Sequence, residues 1–340
     1  MTLLFCDSFD HYTTMPNVKG WVIYSNSPSI GAYGRNGTNG LHCTDKGYGA
    51  MQPLPSLPAA VIVGVAFRAA GLPGVPLLSL MDTGTVQMGL TLTTNGALQV
   101  TRGTGTVLGT TGIGIIAPNA YNYIEMQASI STSVGAVTVR LNGNVVLTLT
   151  NQNTQSSGAA QVTHVALCGT AAGFGGVAYD YDDLYICDTN GARNNTFLGD
   201  VRVQAVLPTG AGNYTQWDGL TGAATHWQAQ SQNPPDDDTS YVSDTLGTPG
   251  HIDSYAMADL IPTSGTVPAV QVSAWARKDD GGGRTLSPMV RSAAVDGLGA
   301  AQSLVTTYGY ITSVFEQNPS AGAWTIALVN AAEAGVKAVA

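Results

Sequence analysis

The sequence predicts an all-β protein built as two sandwich domains, and three observations lead there. Apolar and polar residues alternate over short segments, the period of a strand with one buried face. These segments follow one another through brief turns, and the chain holds 42 glycines. Helix-favouring charge is scarce: charged residues make up 10% of the chain, with three glutamates at Glu125, Glu316 and Glu333. At 340 residues the chain exceeds the usual size of one domain, and its 44% apolar content supplies a core for two.

Residues 3–9 open with a short apolar strand, and residues 59–69 (AAVIVGVAFRA) form a buried one. Residues 75–82 and 86–93 make a hairpin around Thr83-Gly84-Thr85. Asn95-Gly96 then leads into residues 97–102, and Asn142-Gly143 joins 135–141 to 144–150. Asn-Gly is a hairpin signal because a type I′ turn needs positive φ at both central residues. Residues 121–131 alternate strictly, and 162–168 and 178–187 complete the set. Strands in such number without intervening helices mean a sandwich or barrel.

The stretch 177–214 joins the halves: an alternating strand, a polar Gly- and Asn-rich loop, then a second alternating run at 200–207. The expected domains are therefore 1–189 and 190–340. In the second, strands are expected at 200–207, 255–260, 267–277, 285–292 and 304–315, around a long irregular loop at 208–254. One short helix is expected near the C-terminus, where Ile326, Val329, Asn330 and Glu333 fall at helical spacing, with Gly335 as its stop and a short strand at 336–339.

Charge excludes some partners. Residues 1–190 carry 6 basic and 9 acidic groups, and residues 191–340 carry 7 and 13. Neither half has the clustered Lys and Arg that nucleic acid or an anionic membrane requires, so neither is an expected partner. The longest apolar run, 59–67, is far shorter than the ~20 residues that span a bilayer. Residues 1–12 lack the basic start of an export signal. Cys6, Cys43, Cys168 and Cys187 match no zinc spacing, and Cys168 and Cys187, in apolar strand contexts, are expected as free buried thiols.

The first half resembles the concanavalin A-like, laminin-G-like jelly roll. Residues 5–10 (FCDSFD), 63–68 (VGVAFR), 77–103, 121–150 and 179–188 (YDYDDLYICD) carry the likeness. The second half resembles the jelly-roll module of bacteriophage structural proteins, through residues 197–217, 234–242, 270–292 and 324–337. That resemblance implies two jelly-roll-like sandwiches and a structural component of a tailed-phage virion, tail- or fibre-associated or a capsid decoration protein. Its expected partners are copies of itself and other virion proteins. Its expected location is the virion, assembled in the host bacterial cytoplasm. Low charge agrees with a surface covered by neighbours. The alternative is a virion module that recognises a host-surface glycan.

No catalytic set is expected. The first fold also hosts glycoside hydrolases, which need two carboxyl groups flanking the bond. Glu125 has no second acid on its strand, and the sequence lacks G-x-S-x-G, H-E-x-x-H and a P-loop. The five histidines are scattered. No cofactor or metal is expected. Asp180 and Asp182 on one strand face, with Asp183 on the other, read as solvated strand residues or turn acceptors rather than calcium ligands. Asp236, Asp237 and Asp238 read as a solvated, turn-making loop. The candidates for glycan or interface contact are Tyr214, Trp217 and Trp227, aromatic residues in the long loop region.

Overall fold

The structure, a computed structural model, describes residues 2–15, 18–25, 28–44, 49–168 and 178–340. It divides into two compact units between Val203 and Gln204. Both are β-sandwiches, as the alternation predicts.

In the first unit one sheet runs Asn144–Gln152, Gly135–Leu141, Tyr121–Ser129, Ala60–Ala69, Ala178–Asp188, Gly40–Thr44 and Ser29–Gly31, with Leu3–Asp7 also on Ala178–Asp188. The other runs Thr106–Thr110, Leu98–Arg102, Thr85–Leu92, Val75–Asp82, His164–Leu167, Gly49–Pro53 and Val22–Ser25. Among the described residues every pairing between these strands is antiparallel. Val63, Val65, Phe67, Ile124, Met126 and Ile186 of the first sheet share one core with Leu78, Leu80, Leu90 and Val100 of the second. That is the one-sided burial a period of two encodes.

The turns follow their residues closely. Asn142 and Gly143 both have positive φ, at 50° and 81°, as a type I′ hairpin demands. At Asn95-Gly96 only Gly96 does, at 76°, and the turn is a longer loop in which Thr93 and Ala97 bond across.

The boundary differs from the expected 189/190. Residues 190–203 belong to the first unit because its side chains hold them. The Arg35 guanidinium bonds Asp183 at 2.7 Å, Asp200 at 2.6 Å and the Val201 carbonyl at 2.7 Å. Val203 N donates to Asp183 Oδ1 at 2.7 Å. Gly199 N donates to Glu125 Oε1 at 2.8 Å, and Arg140 lies 4.8 Å from the Phe197 ring centre. These side-chain bonds take the place of a ladder, and the strand expected at 200–207 does not form.

In the second unit the main sheet runs Pro208–Thr215, Ile252–Met257, Glu333–Ala338, Thr285–Ser292 and Val295–Leu298, with Gln302–Ser303 also on Thr285–Ser292. A two-stranded ribbon, Val270–Ala276 with Gly309–Phe315, packs on it through Val272 with Val290 and Ile311 with Leu286. Residues 208–254 are not one long loop. They contain the strand Pro208–Thr215, a small pair Gly219–Thr221 and Tyr241–Ser243, and a helix His226–Ala229. The helix near the C-terminus is Ile326–Asn330, capped by the Thr325 side chain accepting from Leu328 N. It is therefore one of two α-helices among the described residues. Gly335 is not its stop. It lies inside Glu333–Ala338, where a Cβ would sit 2.0 Å from the Asp253 carbonyl oxygen. Close strand approach selects glycine there.

Candidate functional site

The second unit carries an open recess of about 530 Å³ beside the helix His226–Ala229. It is lined by Gly222, Ala223, Ala224, Trp227, Gln228, Ser231 and Gln232. None of these residues is charged. The recess is shallow, lies open to solvent over most of its extent and is more polar than apolar. Gly222 has φ +71° and approaches the Thr239 carbonyl so closely that a Cβ would lie 1.9 Å from that oxygen. Glycine therefore sets the floor of the turn.

The helix is one turn long and gains little stability from its own backbone. Side chains fix it instead. Thr225 Oγ1 donates to Gln228 Oε1 at 3.0 Å, and Ser231 Oγ donates to the Gln228 carbonyl at 3.0 Å. Below, His226 Nδ1 meets Asp253 Oδ2 at 2.7 Å, and the Tyr255 hydroxyl donates to the same oxygen at 2.7 Å. Asp253 is wholly buried. Burial, with Asp253 alongside, pushes the Tyr255 hydroxyl well above its ordinary range, so it remains a donor. This Tyr–Asp–His chain ties the Trp227 helix to the strand Ile252–Met257 and leaves the indole partly open to solvent.

The three sequence candidates do not converge. Trp227 lines the recess. Trp217 packs on Leu286, Ile311 and Ala338, with its Nε1 buried and without a hydrogen-bond partner. The Tyr214 hydroxyl donates to Asp296 Oδ2 at 2.8 Å, and Arg291 lies 5.3 Å over its ring. That bond to Asp296 is also the chief reason its hydroxyl titrates above the ordinary range. Sequence reasoning missed His226, Asp253 and Tyr255. Nothing local links them, since Asp253 lies 27 residues from His226.

The acidic clusters are engaged elsewhere. Asp180, Asp182 and Asp183 are buried rather than solvated. A bulge after Asp182, with Asp183 at φ 51°, breaks the expected two-face division. Asp180 bonds Arg68 at 2.8 Å and His42 at 2.5 Å. Asp182 accepts from Arg35 N at 2.7 Å. Burial, with Asp183 next to it, pushes the Asp182 carboxyl up to about 7. Asp236 is the turn acceptor expected of it, taking Ser240 N and its hydroxyl. Glu125 is fully buried, bonded to the Tyr185 hydroxyl and Gly199 N, so it has no route to a substrate. Among the described residues, no group of three His, Cys, Asp or Glu side chains is placed to hold a metal ion.

No family model and no curated protein matches the chain. Solved structures similar to it include alginate lyase Aly36B, at 13% identity and TM-score 0.37, covering 54% of this chain and 95% of that one. Carbohydrate-binding module CBM66 from Bacillus subtilis is similar at 10% identity and TM-score 0.36, covering 52% and 99%. A Trypanosoma rangeli sialidase is similar at 14% identity and TM-score 0.35, covering 52% and 31%. Values this low carry no argument about this chain.

Proposed function

We propose that the chain is a non-enzymatic recognition protein that binds a glycan in the Trp227 recess. One observation carries this reading: a partly exposed indole forms the wall of an uncharged recess whose other groups are amides, a hydroxyl and small side chains. An aromatic face stacks on the C–H face of a sugar ring, while amides and hydroxyls exchange hydrogen bonds with its hydroxyl groups. Saturable binding to an array of bacterial surface glycans, lost in Trp227→Ala with the fold intact, is the expected result. A folded chain that binds none of them refutes the reading.

A second reading, a structural subunit of a tailed-phage virion, is favoured by a separate observation. The strands that end the two sheets of the first unit, Thr106–Thr110 and Asn144–Gln152, contain no charged residue and expose Val107 and Val145. A neutral flank costs little to desolvate against a neighbour. Antibody to this chain should then label assembled particles in electron micrographs. Particles that carry none of the chain would exclude the reading.

A further inference from the structure

We propose that the outer face of the ribbon Val270–Ala276 and Gly309–Phe315 is a second binding site, for a neutral pyranose oligosaccharide, separate from the Trp227 recess. The ribbon's inner face is committed to the core through Val272, Ala274 and Ile311. The period of two therefore turns Trp275 and Tyr310 outward, and the two are partners in register. Their ring centres are 4.8 Å apart. Tyr308 continues the row, 5.8 Å from Trp275 with the two planes within 9°. All three rings keep part of their surface in solvent.

The row is held rigid from the side. Trp275 Nε1 donates to Asp237 Oδ1 at 2.7 Å. The Tyr308 hydroxyl and Arg277 Nη2 both donate to Asp238 Oδ1, at 2.9 and 2.8 Å. Arg277 also lies 5.2 Å over the Tyr308 ring. Rings fixed before a ligand arrives spare it the cost of ordering them. Each aspartate uses only its Oδ1 in these bonds, which leaves Oδ2 to accept from ligand hydroxyls. A clamp serving only to fasten the 236–238 loop needs these hydrogen bonds but not three aromatic rings in a row.

Charge selects the ligand. Two carboxylates against one guanidinium leave a single negative charge at the site. It repels a chain of uronic or sialic acids and leaves a neutral chain unopposed.

The test is titration of the full chain with cellohexaose and with maltohexaose, read by tryptophan fluorescence and calorimetry, with tetragalacturonate as the anionic probe. At least one neutral hexaose binds saturably. Trp275→Ala weakens it by about tenfold or more, the ~1.4 kcal/mol scale of one lost stacking ring. Tyr308→Ala, which keeps the indole–aspartate bond, does the same with an unchanged melting curve, so a folding defect in the first variant leaves the test intact. The titration is repeated in Trp227→Ala, which removes the recess, so that binding remaining there belongs to the ribbon and failure of the recess and failure of the ribbon are read separately. The proposal is overturned if neither hexaose binds the folded Trp227→Ala chain, if binding to that chain survives both ribbon substitutions, or if tetragalacturonate binds it as tightly as the neutral probes.

Discussion

Gly64→Ala tests the packing of the first unit at one atom. Gly64 lies between Glu125 on one neighbouring strand and Tyr185 on the other, all three in one row across the sheet. The Tyr185 ring crosses Gly64 and gives its hydroxyl to Glu125 Oε1 at 2.5 Å. The same hydroxyl accepts from Leu198 N at 3.1 Å. A Cβ on residue 64 would stand 2.0 Å from Tyr185 Cε1 and 2.6 Å from Cζ. Ordinary carbon contact begins near ~3.5 Å, so the ring must withdraw by more than an ångström. Its bond to the buried Glu125 carboxylate cannot survive that movement.

The magnitude follows. A hydrogen bond to a charged group contributes about 1.5–3 kcal/mol, and overpacking costs about 1–3 kcal/mol. Replacing a strand glycine by alanine returns about 0.5–1 kcal/mol through the unfolded chain. The net expectation is a loss of about 3 kcal/mol. For a unit of this size that is a fall of roughly 6–12 °C in its melting temperature, read by calorimetry. The same substitution made beside Tyr185→Ala should cost far less, because the obstructing ring is gone. A Gly64→Ala protein within about 1 kcal/mol of the parent, or an equal cost in both backgrounds, refutes the reasoning.

Three further outcomes are expected. Trp217→Ala removes a side chain that packs on Leu286, Ile311 and Ala338, so it lowers stability by about 2–3 kcal/mol in urea titrations while leaving glycan titrations of the folded chain unchanged. Arg35→Gln loses the fork that binds Asp183 and Asp200, so trypsin should cut after Arg193 and Arg202 faster than in the parent, as mass spectrometry of timed digests would show. Burial, with Asp183 adding to it, raises Asp182 to about 7, and burial raises Asp10 to about 6, both from 3.8. Their folded forms hold protons more tightly than the unfolded chain, so this contribution is full below pH ~4 and is lost as pH rises through 6 and 7. Between pH 6.5 and 8 Asp182 alone should take away roughly 0.8 kcal/mol, while His11, which burial holds down at about 3, adds stability as pH rises through 6.5. The effect is therefore read as the parent minus Asp182→Asn, and a parent that does not lose stability relative to that variant over the interval would contradict the assignment.

The first unit was legible in the sequence because its hydropathy and its burial share a period. Residues 135–141, GAVTVRL, alternate in both. The second unit breaks that link. Pro208–Thr215 alternates strictly in burial, yet its residues are PTGAGNYT, and no hydrophobic pattern announces a strand. Ile252–Met257 buries Asp253 and Ser254, polar residues that read as loop until His226, Tyr255 and Glu333 supply their partners. The boundary failed for a related reason: residues 190–203 are held by Arg35 and Glu125, which no local pattern connects to them.

One signal was present and informative. In residues 270–277, VQVSAWAR, the small apolar residues Val270, Val272, Ala274 and Ala276 occupy the buried register. Trp275 stands in the other register, beside Ser273 and Arg277. Burial in the core does not account for a large aromatic residue placed there, since the opposite face already has its apolar set. The residue must be covered by another segment or face a ligand. Here the 236–238 loop bonds the indole nitrogen through Asp237, and the ring lies nearly parallel to Tyr308 and tilted by 54° to Tyr310. An aromatic residue in the polar register of an alternating strand therefore calls for an explanation that core packing does not supply. Trp217 illustrates the contrast: read from the loop region as a candidate, it packs against a core cluster.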